Sequence, residues 1–311
     1  MHRMPRLTRR TLAAACALAL AAGSAAAADA GAKARFGVVT MLDGDGVVLR
    51  DDDRLAAAEG VALQPGDVLA TGPKTRLLRV ETPGGLSVAL GPDTRALVAP
   101  ALGAGEGSPT VYLLSGWAKV AAPGQAASIA AAQLSVDASG GTVVVSVLPD
   151  TTIAFAEAGP LRVRPHAVDT VLLLQSGEML AWAPGNDKPR RSPRPSPLFV
   201  QQMPRPFMDP LPSRLARFQG AASTPEPKVL GGVAWSDAQP WIDGEPAVRR
   251  WSLRRWRALA REPEFRRGLA ADMRAHPEWE VVLHPTAAGR RAASSAASAS
   301  PESAYPAPGA R

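Results

Sequence analysis

From residue 36 to residue 187 the chain is a succession of short apolar runs, cut by Gly, Pro, Asp or Asn about every 8–12 residues. Runs this short and this regularly interrupted do not make ordinary helices; they read as strands. Two of them alternate in strand fashion, Leu134-Ser135-Val136-Asp137 and Thr142-Val143-Val144-Val145-Ser146-Val147. The pattern predicts an all-β domain over residues 36–187, a sandwich, barrel or solenoid. The chain holds 28 Gly and 30 Pro in 311 residues, below the proportion of about 25–30% that marks wholesale disorder.

The start of the chain has a different logic. Arg3, Arg6, Arg9 and Arg10 precede an apolar stretch over residues 11–22, followed by small residues 24–28. This is the order of a secretory signal peptide, expected over residues 1–28. Its apolar part is shorter than the roughly 20 residues a bilayer span requires. The sole cysteine, Cys16, lies within it, so the processed chain is expected to carry no disulfide and to reside in the periplasm or outside the cell. No later stretch reads as a membrane span.

Residues 188–228 contain Pro189, Pro193, Pro195, Pro197, Pro204, Pro206, Pro210 and Pro212. That density predicts an extended linker without regular helix or sheet, lying over the β domain through Leu198, Phe199 and Phe207. Residues 211–220 allow one or two helical turns. Residues 229–285 hold five of the seven Trp: Trp235, Trp241, Trp251, Trp256 and Trp279. Glu245-Pro246-Ala247-Val248-Arg249-Arg250 is echoed by Glu262-Pro263-Glu264-Phe265-Arg266-Arg267. Pro at a first helical position behind an acidic residue marks a helix start in each copy. The region therefore predicts a small helical hairpin joined at residues 260–263, with residues 280–283 as a closing strand. Residues 286–311, rich in Ala, Ser, Pro and Gly, are expected to be disordered.

Charge divides along the same seams. Residues 36–187 carry nine Lys/Arg against sixteen Asp/Glu, whereas residues 245–291 carry eleven Arg against six acids. Trp251 and Trp256 lie among Arg249, Arg250, Arg254, Arg255 and Arg257, a basic amphipathic element. Trp251, Arg254, Arg255 and Trp256 are the candidate interaction surface, suited to an anionic lipid or glycan or to a protein of the envelope; the alternative is that the Trp side chains pack the hairpin core or dock it on the β domain and leave the Arg solvated. Export makes nucleic acid an unexpected partner.

Catalytic patterns are sparse. His166, His276 and His284 have no cysteine companions for a thiolate zinc site, and no nucleophile elbow or phosphate-binding glycine loop occurs. The acidic cluster Asp43, Asp45, Asp51, Asp52 and Asp53 lacks calcium-loop spacing and reads as a solvated turn. No cofactor, metal or enzymatic activity is expected.

Several segments of the β region have turn chemistry: Leu63-Gln64-Pro65-Gly66-Asp67-Val68-Leu69-Ala70-Thr71-Gly72, Gly85-Leu86-Ser87-Val88-Ala89-Leu90-Gly91-Pro92-Asp93-Thr94, Leu114-Ser115-Gly116-Trp117-Ala118-Lys119-Val120 and Gln175-Ser176-Gly177-Glu178. In order and content they resemble the FecR-like domain of bacterial envelope proteins. The resemblance implies a stacked, two-layer, solenoid-like or sandwich β domain in which Gly66, Asp67, Gly72, Gly85, Gly91, Gly116 and Gly177 specify fold. It also implies a kinship with periplasmic domains of membrane-spanning anti-sigma regulators. Here the β region follows a signal-like segment, so the resemblance implies the free-standing exported type. The leading expectation is a non-enzymatic binding or scaffold module contacting an envelope protein or glycan. The alternative is a periplasmic, signal-receiving regulator acting through a membrane partner.

Overall fold

The structure, a computed structural model, describes residues 34–102, 108–183, 185–186, 188–219 and 225–284. The expected signal peptide (1–28), with Cys16, and the expected disordered tail (286–311) lie outside the described residues. Among the described residues the first strands are β1 (Gly37–Asp43), β2 (Gly46–Arg50), β3 (Asp53–Ala56), β4 (Ala62–Leu63), β5 (Val68–Thr71), β6 (Leu77–Glu81), β7 (Ser87–Leu90), β8 (Arg95–Val98) and β9 (Val111–Ala121). They continue as β10 (Ser128–Ala130), β11 (Leu134–Asp137), β12 (Thr142–Leu148), β13 (Thr151–Ala158), β14 (Leu161–Pro165), β15 (Leu172–Leu174), β16 (Met179–Trp182), β17 (Arg190–Ser192) and β18 (Val229–Gly232).

Hydrogen bonds join these strands into one sheet, in two runs that share β9. One run is β4–β1–β6–β7–β9–β12–β13–β16–β17. The other is β18–β3–β2–β5–β8–β9–β10–β11–β14–β15, with β9–β10 its parallel pair. Val111–Ser115 of β9 pairs with β8, and Gly116–Ala121 pairs with β12. Gly116 is the corner. Its φ is +89°, and a Cβ there would lie 2.6 Å from Thr94 Cα, so only glycine fits. Thr94 Oγ1 accepts the following N–H, that of Trp117, at 2.9 Å.

The sheet curls around a single core to which both runs contribute, among them Val39, Leu78 and Val145 from one and Val48, Leu69 and Val136 from the other. Period-two geometry then sorts neighbours to opposite faces. Val48, Leu69, Ala96 and Leu113 enter this core, while Leu49, Val68, Leu97 and Tyr112 face a second cluster built with the C-terminal helices. On the other run Leu78, Leu90 and Val145 face the core, and Leu77, Ala89 and Val144 face a third cluster. β6, covered on both faces, is buried at every position, Arg79 and Glu81 included; β14, with Arg162 and Arg164 exposed between buried Leu161, Val163 and Pro165, is covered on one face only.

The third cluster corrects the expectation for the proline-rich segment. Residues 188–219 are not free of regular structure: β17 extends the sheet, and two short helices follow, α1 (Pro197–Gln202) and α2 (Arg205–Met208). Ser196 caps α1 by accepting the Phe199 N–H at 3.2 Å, and Pro197 sits where a helix tolerates proline. Phe199, Met203 and Phe207 are buried against Leu77, Ala89, Trp117 and Met179. Leu198, expected to pack with them, is 62% exposed. The segment is a strap, held also by Arg79 donating to the Leu211 and Pro212 carbonyls and Lys119 to that of Phe207. A 3₁₀ turn, Leu215–Phe218, stands where one or two helical turns were expected.

After β18 come α3 (Trp235–Ile242), α4 (Pro246–Trp256), a 3₁₀ turn Arg257–Arg261, α5 (Pro263–Ala271), a 3₁₀ turn Pro277–Trp279 and α6 (Glu280–Leu283). Pro246 and Pro263 open α4 and α5 as expected, and the tight junction lies between them. Three features differ from the sequence expectation. Val229–Gly232 is a strand paired with β3, so this region begins inside the sheet. α3 is an additional helix despite Pro240. Residues 280–283 form a helix, not a closing strand, because the preceding 3₁₀ turn carries the chain directly into it.

Candidate interaction site

The glycines and acid of the resembling segments occupy turns and corners. In the turn Gln64–Asp67, Gly66 has a φ of +86°, and Asp67, 1% exposed, accepts the Gln64 N–H at 2.8 Å. The same carboxylate holds Arg50 by two bonds, of 3.0 and 2.6 Å. The turn Gln175–Glu178 repeats this device: Glu178 accepts the Gln175 N–H at 2.6 Å and pairs with Arg191 at 2.5 Å. Two Leu-Gln-x-Gly-acid turns thus present a carboxylate to an arginine, a repeat visible in the sequence once the turns are laid side by side. Gly85 and Gly177 both have positive φ. The Gly72 carbonyl accepts the Thr75 and Asp93 N–H groups, and Gly91 lies under Pro204 of the strap.

The candidate surface Trp251, Arg254, Arg255, Trp256 is divided by the fold. Trp251 and Trp256 are not at the surface: they are buried in the cluster that joins the helices to Leu49, Val68, Leu97 and Tyr112 of the sheet. The reason is the sheet's second apolar face, which needs a large aromatic cover. Tyr112, Trp241, Trp251 and Trp256 follow one another at centroid distances of 6.4, 5.7 and 5.4 Å. Trp256 donates its indole N–H to the Asp51 carbonyl at 3.2 Å. Tyr112 donates its hydroxyl to Glu245, whose burial raises the carboxyl above its ordinary value despite that bond.

Arg255 is half-buried between the helices and the Gln64–Asp67 turn. Its guanidinium carbon is 5.7 Å from the centre of the Trp251 ring, and a Cβ on Gly66 would lie 3.3 Å from its Nη1. Gly66 therefore serves both the turn and the approach of the helical unit. Burial lowers the Arg255 pKa, opposed by the nearby Asp51, Asp67 and Asp52. Arg254 is exposed, and donates to the Ala101 carbonyl at 3.2 Å.

These two arginines border a cavity of about 520 Å³ that also takes in Arg257, Arg261 and Arg266, over Val281 and Val282 of α6. No carboxylate lines it. Elsewhere in the structure several arginines have acidic partners, among them Arg50 with Asp67, Arg54 with Asp237, Arg79 with Glu81, Arg214 with Glu59 and Arg249 with Glu278. Around the cavity the recorded ion pair is Arg255 with Asp51, at 3.9 Å. Sequence reasoning identified Arg254 and Arg255 and did not single out Arg261 or Arg266, which reach the same space from the 3₁₀ turn and from α5.

The histidines are dispersed. His276 is buried, its Nδ1 2.8 Å from Asp243 and its Nε2 2.9 Å from the Leu269 carbonyl, and so links α3 to α5. His166 contacts Ser135 and the Ala132 carbonyl, and His284 is exposed. In the acidic cluster Asp43 pairs with Arg76. Among the described residues no group of three or more His, Cys, Asp or Glu is placed to hold a metal ion. No helix among them is long and apolar enough to cross a membrane.

No family model matches the chain, and no curated protein matches it. Two solved structures from Parabacteroides distasonis, each described as a "putative anti-sigma factor", overlap part of it. One has 16% identity and a TM-score of 0.34 over 41% of this chain and 59% of that chain. The other has 16% identity and a TM-score of 0.33 over 40% and 58%. The chain thus spans less than two thirds of the length of these structures, and a likeness at this level says nothing further about its function.

Proposed function

We propose that this chain is a non-enzymatic, exported binding module of the bacterial envelope, built on a FecR-like, two-layer β domain. Its helical unit meets an anionic glycan or an acidic envelope protein. The observation that carries this reading is the arginine-lined cavity, held on a helical unit that shares an apolar core with the sheet. Such a unit presents fixed positive charge to a partner, and attraction of this kind governs the rate and choice of partner. The signal-like segment over residues 1–28 supports export, and the Gly66-Asp67 and Gly116 segments support the FecR likeness. Within that family a bound partner relays a signal through a membrane protein, and a regulatory role is the form binding would then take here.

The test is fractionation followed by affinity purification of the processed protein from its native envelope. The expected result is a shortened product outside the cytoplasm that retains a glycan or protein partner at low salt and releases it as salt rises. A full-length cytosolic product, or an envelope preparation that yields no partner, would overturn the reading.

A further inference from the structure

We infer that the arginine-lined cavity is a discrete site for a phosphate monoester carried on a compact polar group, such as a phosphorylated sugar or a phosphorylated lipid headgroup. The inference rests on the helical unit being the binding surface and names what that surface takes.

Three observations lead there. The first is the pairing pattern. Among the described residues, seven arginines outside the cavity each have a carboxylate within about 3.3 Å, whereas the cavity gathers five arginines with no carboxylate in its lining, the recorded pair among them being Arg255 with Asp51 at 3.9 Å. Like charges brought together without counter-charge repel, and a bound anion removes that repulsion.

The second is how the side chains are held. Arg254 and Arg266 are anchored by backbone carbonyls, those of Ala101 at 3.2 Å and Leu283 at 3.1 Å. Arg255 is anchored over Trp251 and beside Gly66. The neutral acceptors of Arg254 and Arg266 position these guanidiniums without cancelling their charge, whereas Arg255 also has Asp51 at 3.9 Å, and each anchored guanidinium keeps further N–H donors. Arg257 and Arg261 are exposed and have no ion pair among the described residues. The arrangement is three fixed cations and two adjustable ones, a preorganised receptor for an anion with several acceptors.

The third is size and charge. A volume of about 520 Å³ lies within the range of small-molecule sites, about 300–1,000 Å³, and exceeds what a bare phosphate fills. A phosphate monoester brings a charge of about −1.5 to −2 and three acceptor oxygens, against one charge and two oxygens for a carboxylate. Guanidinium forks match phosphate oxygens in pairs. The chain's own residues 285–311 are a poor occupant, since they contain three Arg and one Glu.

The experiment is calorimetric titration of the processed full chain at about 0.15 M salt, where diffuse surface attraction is largely screened. Glucose 1-phosphate and glucose are the soluble probes, and phosphatidylcholine vesicles with and without phosphatidic acid are the membrane probes. The expected result is saturable one-to-one binding of glucose 1-phosphate, or binding of phosphatidic acid vesicles, with no binding of glucose or pure phosphatidylcholine. Whichever of the two binds identifies the source of the phosphate. The paired change Arg257→Gln and Arg261→Gln, at exposed positions, should weaken binding at least tenfold. The charge-matched pair Arg162→Gln and Arg164→Gln on β14 should leave it within twofold. Failure of both phosphate probes to bind, or equal weakening by the two pairs, would overturn the inference. If the native envelope partner is still recovered in that case, the broader binding reading stands and the phosphate site alone falls.

Discussion

The strap and the helical unit perform the same task on the two runs of the sheet by different means. Each covers the face turned away from the shared core. The strap does so with three large side chains, Phe199, Met203 and Phe207, and with carbonyls that take hydrogen bonds from Arg79 and Lys119. The helical unit brings a core of its own, in which Trp241, Trp256, Phe265 and Trp279 pack together with sheet residues. A segment with little interior of its own depends on the sheet for its shape. A segment with an interior holds its shape and can keep surface groups, here arginines, in unbalanced arrangements.

That comparison is sharpest where a single side chain is removed. Trp256→Ala deletes a fully buried ring at the junction of helices and sheet, together with its bond to the Asp51 carbonyl. It should cost about 4–5 kcal/mol, read by denaturant unfolding of the processed chain. Phe199→Ala empties the centre of the strap, where its ring is 5.3 Å from Trp117 and 5.8 Å from Phe155. A cost of about 3 kcal/mol is expected, with protease cleavage appearing first within residues 188–219. If Phe199→Ala were the more damaging of the two, or if cleavage began in the helices, the strap would be the more self-sufficient cover and the comparison would reverse.

The smallest effect concerns the Tyr112–Glu245 link between β9 and the start of α4. Burial raises the Glu245 carboxyl above its ordinary value of 4.5, so the folded chain binds more protons there than the unfolded chain. Its contribution to stability is full below about pH 4.5 and is lost as pH rises through the raised folded value. Relative to wild type, Glu245→Gln should therefore show a flatter decline of stability between about pH 4.5 and 7. Denaturant midpoints across that interval give the difference. Parallel profiles would remove Glu245 from the docking account, and a steeper decline in the variant would reverse the sign of its burial.

Strands, turns and the starts of α4 and α5 were legible because their signals act over a few residues. Alternation in β11 and β14, Gly66 before Asp67, and Pro246 and Pro263 at helix starts are all local. In the strap, proline density hides local structure, although Ser196-Pro197 is itself a helix start. The second faces of β2, β5 and β8 were present in runs such as Val68-Leu69, but nothing nearby says what covers them. The sequence left Trp251 and Trp256 open between a surface role beside their arginine neighbours and packing within the helices or against the β domain, and the tertiary structure decides for burial.

By itself, the sequence determined where the chain extends, turns and begins a helix, and that its helical region is basic while its β region is acidic. Tertiary structure decided which arginines are neutralised and which remain gathered around a cavity. The physical reason is range. Backbone preferences are set by neighbours a few positions away, whereas Arg79 and the strap carbonyls, Tyr112 and Glu245, or Arg254 and Ala101 meet across more than a hundred residues.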